Sequence, residues 1–282
     1  MNTYVRPQTL DHALEALAKR PHVILAGGTD FYPARAGRTL ESDVLDITGI
    51  PELAEIREDE HGWRIGAAVT WRELQDTPLP AAFDALKLAA REIGGPQIQN
   101  AGTIAGNVCN ASPAADGIPA LAALDASVEI AGPSGRRCVA LADFLRGPRR
   151  VDRSIDELVT ALHVPRPAAR SAGHFLKLGA RRYLVISIVM AAVVIEVDAG
   201  YAVRTARVAV GACADRSLRI ASLENALTGV PAAALETFTI PDGALASLAP
   251  IDDVRATARF RVHAAKALLQ DAIHDIPRGL EA

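Results

Sequence analysis

The run from Asn100 to Asp116 constrains this chain more than any other stretch. It is built almost wholly of small and polar residues: Asn100-Ala101-Gly102-Thr103-Ile104-Ala105-Gly106-Asn107-Val108-Cys109-Asn110-Ala111-Ser112-Pro113-Ala114-Ala115-Asp116. Gly102 and Gly106 let the backbone turn tightly and come close to a ligand. Thr103, Asn107, Asn110 and Ser112 add short hydrogen-bonding side chains. Ser112-Pro113 has the form of an N-cap followed by proline in the first helical position. A second loop of the same kind, Leu25-Ala26-Gly27-Gly28-Thr29-Asp30, directly follows the apolar Val23-Ile24. Backbone amides turned inward by such a loop suit a phosphate or pyrophosphate. Taken singly, a Gly-Gly after a strand is also an ordinary turn. The pair suggests a ligand whose extended phosphate bridge is gripped from both sides.

Composition narrows the classes. The 282 residues suffice for two modest domains or one large one, and half of them are hydrophobic, so a sizeable core is available. A net charge of −3 with dispersed basic residues argues against nucleic acid as the main partner. Cys109, Cys138 and Cys213 lie far apart with no Cys-x-x-Cys spacing. They read as small core residues in a reducing compartment, not as ligands of zinc or an iron–sulfur cluster. The N-terminus has no charged region followed by an apolar run, so it does not read as a signal peptide. The longest apolar run, Leu184 to Ile195, is too short to span a bilayer and reads as a buried strand. The expectation is a soluble, cytoplasmic protein. A Gly-x-Ser-x-Gly nucleophile elbow and a Gly-x-Gly-x-x-Gly dinucleotide fingerprint are both absent.

In chain order, Leu10, Ala13, Leu14 and Leu17 predict a short amphipathic helix over 10–19. Strands are expected over 23–26, 44–47 and 54–57, with a hairpin turn at 59–62 leading into 63–67. Thr70-Trp71-Arg72-Glu73 is a capping box. A longer helix from about Pro80 carries Phe83, Leu86, Ala90 and Ile93 on its apolar side and stops at Gly94-Gly95-Pro96. An alanine- and leucine-rich helix follows over 118–124. A hairpin joins 127–131 to 137–140 through Gly132-Pro133-Ser134-Gly135, and 156–165 forms a strand ending at Pro165. Residues 165–170 mark the boundary to strands over 175–178, 189–197 and 206–213, and helices over 222–227 and 252–273. Arg255, Arg259, Arg261 and Lys266 on the last helix read as a solvated face or a partner surface.

Ala26-Gly27-Gly28-Thr29-Asp30, then Thr103-Ile104-Ala105-Gly106-Asn107, then Asn110-Ala111-Ser112-Pro113-Ala114-Ala115-Asp116 resemble three motifs of the FAD-binding subunits of the molybdenum hydroxylases. This is the family of xanthine dehydrogenase and the medium subunit of carbon monoxide dehydrogenase. Lys177-Leu178-Gly179-Ala180-Arg181-Arg182 and Arg255-Ala256-Thr257-Ala258-Arg259-Phe260-Arg261 resemble two further family segments, so the likeness covers nearly the whole chain. Ala105, Gln99 and Ala101 depart from the family pattern. If position 105 requires positive φ, alanine there costs roughly 1 kcal/mol or more.

The resemblance implies an α+β chain: a two-lobed FAD-binding domain of the PCMH/vanillyl-alcohol-oxidase type over 1–168, with lobes 1–53 and 54–168. A smaller α+β domain with an antiparallel sheet and helices follows over 169–282. It implies FAD, its pyrophosphate held by Leu25, Ala26, Gly27, Gly28, Thr29 and Asp30 on one side and Thr103, Ile104, Ala105, Gly106 and Asn107 on the other; none of the seven histidines falls within the two loops, so the FAD is expected to be non-covalent. Asp116 corresponds to a residue that accepts from ribityl or ribose hydroxyls, or stands as an anion at a helix N-terminus. Lys177 corresponds to a lysine near the flavin, where a cation would favour the reduced anion, or is an exposed strand lysine. Ile93 and Val159 either touch FAD or are plain core, and Tyr183 is a candidate to stack near the isoalloxazine. Molybdopterin and 2Fe-2S clusters are expected only on partners, a large and a small subunit, with NAD⁺, oxygen or another species as acceptor. The alternatives are a flavin-free scaffold subunit and a free-standing FAD-dependent reductase.

Overall fold

The computed structural model describes residues 3–280. The chain opens with β1 (Tyr4–Val5), α1 (Leu10–Lys19), β2 (Val23–Leu25) and β3 (Val44–Asp46). The three strands form a small parallel sheet in the order β1-β3-β2. Thr9 caps α1, its hydroxyl accepting from the His12 amide at 3.3 Å, and Leu10, Ala13 and Leu17 are buried on the inner face.

The second lobe contains β4 (Ile56–Glu58), β5 (Gly62–Gly66), α2 (Trp71–Asp76), α3 (Asp84–Glu92), α4 (Pro96–Ala101), α5 (Ile104–Asn110) and α6 (Gly117–Ala123). It continues through β6 (Ser127–Gly132), β7 (Gly135–Ala140), α7 (Leu141–Phe144), β8 (Leu145–Gly147), β9 (Arg150–Val151) and β10 (Leu158–Pro165). Its five-stranded antiparallel sheet runs β4-β5-β10-β6-β7. The capping box at α2 forms as predicted: Thr70 Oγ1 accepts from the Glu73 amide at 3.2 Å, and the Glu73 carboxylate accepts from the Thr70 amide at 2.7 Å. The hairpin closes with Gly132 opposite Gly135.

The remaining elements are β11 (Ser171–Leu178), β12 (Val189–Val197), β13 (Val203–Gly211), β14 (Leu218–Arg219), α8 (Ala221–Leu227) and α9 (Ala258–Leu280). The four strands form an antiparallel sheet in sequence order. Helix α9 packs on β11 and β12, while α3 and α6 of the second lobe also pack on strands of this sheet. With both faces covered, every residue of β12 is buried, which explains its apolar run over 189–195; Glu196 is buried in ion pairs with Arg204 and Arg207.

Four expectations need correction. The small-residue stretch at 103–107 is not a loop: it is Thr103 and the first turn of α5. Ser112 does not start a helix. Its hydroxyl accepts from the Ala114 amide at 3.3 Å within a turn, and α6 begins only at Gly117. The same local serine bond serves turns and caps alike, so sequence does not separate them. The last helix begins at Ala258, not 252, because Asp252 accepts from the Ala258 amide (2.5 Å) and Thr257 Oγ1 from the Phe260 amide (3.2 Å). On that helix Arg261 is buried, donating to the carbonyls of Ile188 (2.5 Å) and Ala212 (3.2 Å) and to Asp253 (2.7 Å). The basic run is therefore not one solvated face.

The second lobe's sheet carries a buried ion cluster. Glu129 accepts from Arg64 (3.0 Å), Thr160 Oγ1 (2.5 Å), His163 Nε2 (2.9 Å) and Arg136 (3.2 Å). The His163 bond above all, with those from Arg64 and Thr160, holds its carboxyl far below the usual range against the opposing effect of burial. A depressed carboxylate stabilises the fold above its unfolded pKa, about 4.3, and that contribution fades as the pH falls through the folded value. Glu129→Gln leaves Arg64 buried without its counter-charge and is expected to cost about 3 kcal/mol at pH 7. Urea denaturation of both proteins at pH 7 and at pH 3 should show the difference shrinking in acid.

Candidate functional site

Strand β2 ends at Leu25, and the chain turns sharply at Gly27-Gly28. Gly28 has a φ of +73°, and a Cβ there would lie 2.6 Å from the Tyr32 ring. Only glycine meets both conditions. The carbonyls of Gly28 and Asp30 accept from the Tyr32 and Ala34 amides, both at 3.1 Å. The amides of Gly27, Gly28, Thr29, Asp30 and Phe31 donate to no other described residue. Five consecutive unsatisfied N–H groups make a concentrated anion-binding feature.

The first turn of α5 adds to it. Thr103 is the N-cap, its Oγ1 accepting from the Gly106 amide at 3.1 Å and its carbonyl from the Asn107 amide at 3.1 Å. The Ile104 amide goes to the Val69 carbonyl at 3.0 Å, leaving that of Ala105 without an acceptor among the described residues. The two segments touch through their backbones: a Cβ on Gly27 would sit 1.7 Å from the Ala101 carbonyl oxygen. One on Gly102 would sit 2.9 Å from the Ile98 oxygen and 3.3 Å from Thr29 Oγ1. These two glycines therefore serve the approach of chain to chain.

Between the segments lies a cavity of about 640 Å³, within the usual range of ligand sites. Of the residues singled out from sequence, Ala26, Gly27, Gly28, Thr29, Asp30, Ile93, Thr103, Ala105, Gly106, Asn107 and Val159 line it. Leu25 and Ile104 are buried beside it without lining it, and Tyr183 is 58% exposed in the turn between β11 and β12. Asp116 and Lys177 do not line it either. They form a buried ion pair at 2.7 Å, with Ser187 Oγ donating to Asp116 at 2.5 Å and Lys177 Nζ to the Glu92 carbonyl at 3.2 Å. Burial pushes the Asp116 carboxyl up, opposed by Lys177 and Ser187. Neither reading of Asp116 and Lys177 anticipates this pair; Lys177 is not an exposed strand lysine.

Sequence reading missed several wall residues, among them His22, Phe31, Arg35, Ile98, Cys109, Arg153 and Ile155, while Asn110, singled out there, does line it. Arg35 lies 4.1 Å over the Phe31 ring and donates to the Phe31 carbonyl at 3.0 Å; Arg153 donates to the Glu157 carbonyl at 2.6 Å. The Phe31–Arg35 spacing directly after the Gly-Gly turn was a readable signal. Arg153, which follows β9, had none. Burial pushes the Cys109 thiol up to about 11, so it stays protonated and unreactive.

Comparison with known proteins decides the family. The pattern described as "FAD binding domain in molybdopterin dehydrogenase" matches residues 1–167, and that described as "CO dehydrogenase flavoprotein C-terminal domain" matches 174–276. The chain belongs to the FAD-binding subunits of the molybdopterin dehydrogenases. It is 35% identical over 236 residues to the nicotinate dehydrogenase FAD-subunit of Eubacterium barkeri, covering 81% of this chain and 80% of that one. It is 32% identical over 279 residues to the xanthine dehydrogenase FAD-binding subunit of Escherichia coli O157:H7, covering 97% and 95%. Its fold matches carbon monoxide dehydrogenase from Hydrogenophaga pseudoflava with a TM-score of 0.87 at 28% identity, over 99% of this chain and 98% of that one. Quinoline 2-oxidoreductase from Pseudomonas putida 86 matches with a TM-score of 0.87 at 25% identity, over 100% and 99%. The α+β architecture expected from the motifs is thus the observed one.

The residues present fit FAD on two structural grounds. The amides of Gly27 to Phe31 donate to no other described residue and suit a diphosphate, and the cavity they border is about 640 Å³. The departure at Ala105 also loses its cost. Ala105 is not among the positive-φ residues and sits in the first helical turn of α5. Restoring the family glycine with Ala105→Gly is expected to lower the stability of the flavin-free chain by about 0.5–1 kcal/mol. The check is the shift in its urea midpoint; a gain in stability would show that the backbone there is strained.

Proposed function

We propose that this chain is the electron-transferring FAD subunit of a heteromeric molybdenum hydroxylase or dehydrogenase. Its partners are a large molybdopterin subunit and a small 2Fe-2S subunit. It receives electrons from the small subunit and delivers them to NAD⁺, oxygen or another acceptor. The observation that carries this reading is the amide-lined cavity between the Gly27–Phe31 turn and the capped first turn of α5. Its relatives are named as FAD subunits or medium chains of dehydrogenases, which supports a place in a larger complex.

When bound, the flavin supplies a redox centre that exchanges electrons singly or in pairs. The chain's own part is to bind and orient it. The amides of Gly27 to Phe31 and of Ala105 would hold the diphosphate from both sides. Arg35 and Arg153, neither in an ion pair among the described residues, would offset its charge. Ile93, Ile98, Leu158 and Val159 supply apolar wall and keep water out. FAD is held without a covalent bond. Asp116, Ser187 and Lys177 clamp α6 to β11 and the start of β12 behind the site.

The flavin-free reading drew its support from Ala105, Gln99 and Ala101. Gln99 is buried and donates to the Arg91 carbonyl at 3.2 Å, while the Ala101 carbonyl packs against Gly27. All three positions have structural roles, and that reading loses its support. The test is the visible spectrum of the tagged protein purified from its host with whatever accompanies it. Flavin and cluster absorbance, with a large and a small chain, are expected; a colourless protein with those partners overturns the electron-transfer reading. Gly28→Asp, which places a carboxylate among the amides, is expected to weaken FAD binding at least about 100-fold while the far-ultraviolet circular dichroism stays native. The ratio of flavin to protein absorbance measures it.

A further inference from the structure

Ten large apolar side chains stand exposed among the described residues, and six of them fall in two short segments. Tyr183, Leu184 and Ile186 belong to the turn between β11 and β12; Ile251 and Val254 precede α9, and Phe260 lies in its first turn. One guanidinium joins the two groups. Arg261 donates to the Ile188 carbonyl (2.5 Å), two residues beyond Ile186, and to Asp253 (2.7 Å), next to Val254. Both segments are thus held within reach of a single side chain, on one side of the molecule.

The turn is built to hold its apolar groups outward. Leu184 has a φ of +51°, a left-handed conformation that bulky side chains rarely adopt. Arg181 donates to its carbonyl at 3.2 Å, and Leu184 is 59% exposed. A local cost of this kind persists only where neighbouring bonds enforce it, and neighbouring exposed apolar groups mark interaction surfaces.

Charge and position indicate the partner. Arg181, Arg182, Arg255 and Arg259 lie in the two segments against Asp252 and Asp253, and Asp253 is already bound to Arg255 and Arg261. On a chain of net charge −3, this surface is a local basic excess, and it fits an anionic partner. A 2Fe-2S cluster with its thiolate ligands is anionic. The surface also reaches the cavity: Leu184 Cδ2 lies 3.5 Å from where a Cβ on Gly95 would stand, and Gly95 lies between the wall residues Ile93 and Ile98. An electron donor to a flavin in that cavity has to come close to its wall.

We propose that the 181–186 turn and the 251–260 segment together dock the small 2Fe-2S subunit. This rests on the electron-transfer reading above. Aromatic and arginine side chains are the types enriched in such interfaces, and complementary charge sets orientation and the rate of encounter.

The test uses the whole complex, purified from its host through a tag on this chain. A photo-cross-linking phenylalanine analogue replaces Val254 or Phe260, and mass spectrometry identifies what it captures. Capture of the cluster-bearing chain is expected. Capture of the large subunit, of a second copy of this chain, or of nothing overturns the docking proposal, while flavin and cluster absorbance in the complex keep the electron-transfer reading. A chain that purifies without any cluster-bearing partner overturns that reading and the docking proposal with it. Separately, Val254→Asp and Phe260→Asp together should lower the small subunit retained per flavin at least about tenfold. The ratio of flavin to this chain should stay at the wild-type value, since neither residue lines the cavity. A doubly substituted chain that retains the small subunit in full overturns the proposal.

Discussion

The structure turns on the contact between Gly27 and the end of α4. A side chain at Gly27 would place its first carbon 1.7 Å from the Ala101 oxygen, so the two backbones meet with nothing between them. The Gly27 turn belongs to the small parallel sheet, and Ala101 belongs to the second lobe. Their meeting sets how far apart the lobes stand, and so the width of the cavity. The same contact brings five unsatisfied amides of one lobe close to the capped helical turn of the other. Binding chemistry here depends on backbone placement, which the glycines permit and which no side chain could replace.

A second constraint ties this arrangement to the rest of the chain. Lys177 on β11 reaches Asp116 at the start of α6 and the Glu92 carbonyl at the end of α3. Ser187, just before β12, reaches the same carboxylate, and Arg261 of α9 holds the neighbouring Ile188 carbonyl. Burying such a pair is expensive unless its remaining hydrogen bonds are met, and here they are. Two separate segments, at Lys177 and at Ser187, are thus fixed to one carboxylate. Apolar packing of α3 and α6 on the sheet could tolerate small sliding; directional bonds to Asp116 do not.

Much of this was legible in the sequence, and the failures have physical causes. The capping box at Thr70, the hairpin at Gly132–Gly135 and the buried strand 189–197 are local patterns with one dominant solution, and all form as read. Thr103-Ile104-Ala105-Gly106-Asn107 looked like a loop because glycine and asparagine favour turns, yet Thr103 caps a helix there and tertiary contacts with Val69 fix it. Arg261 looked solvated because its neighbours are charged, but its acceptors at Ile188 and Ala212 lie 73 and 49 residues away. Lys177 and Asp116 were marked individually; no local pattern could show that they pair across 61 residues. Position along the chain tells which residues are special more readily than it tells which of them meet.

The cavity's charge follows from the same logic. Its wall carries Arg35, Arg153 and Asp30 as formal charges, drawn from both lobes. A diphosphate held only by arginines would pay heavily in desolvation of long, mobile side chains, and Arg35 and Arg153 are instead pinned by carbonyls of their own segments. Amides need no such pinning, because the turn fixes them before any ligand arrives. Preorganised partial charges lower the ordering cost of binding, and the arginines then balance net charge from the margins. A site built this way tolerates Ala for Gly at position 105, where the amide stays in place. It does not tolerate a change at Gly28, where the backbone conformation that presents the amides is itself at stake.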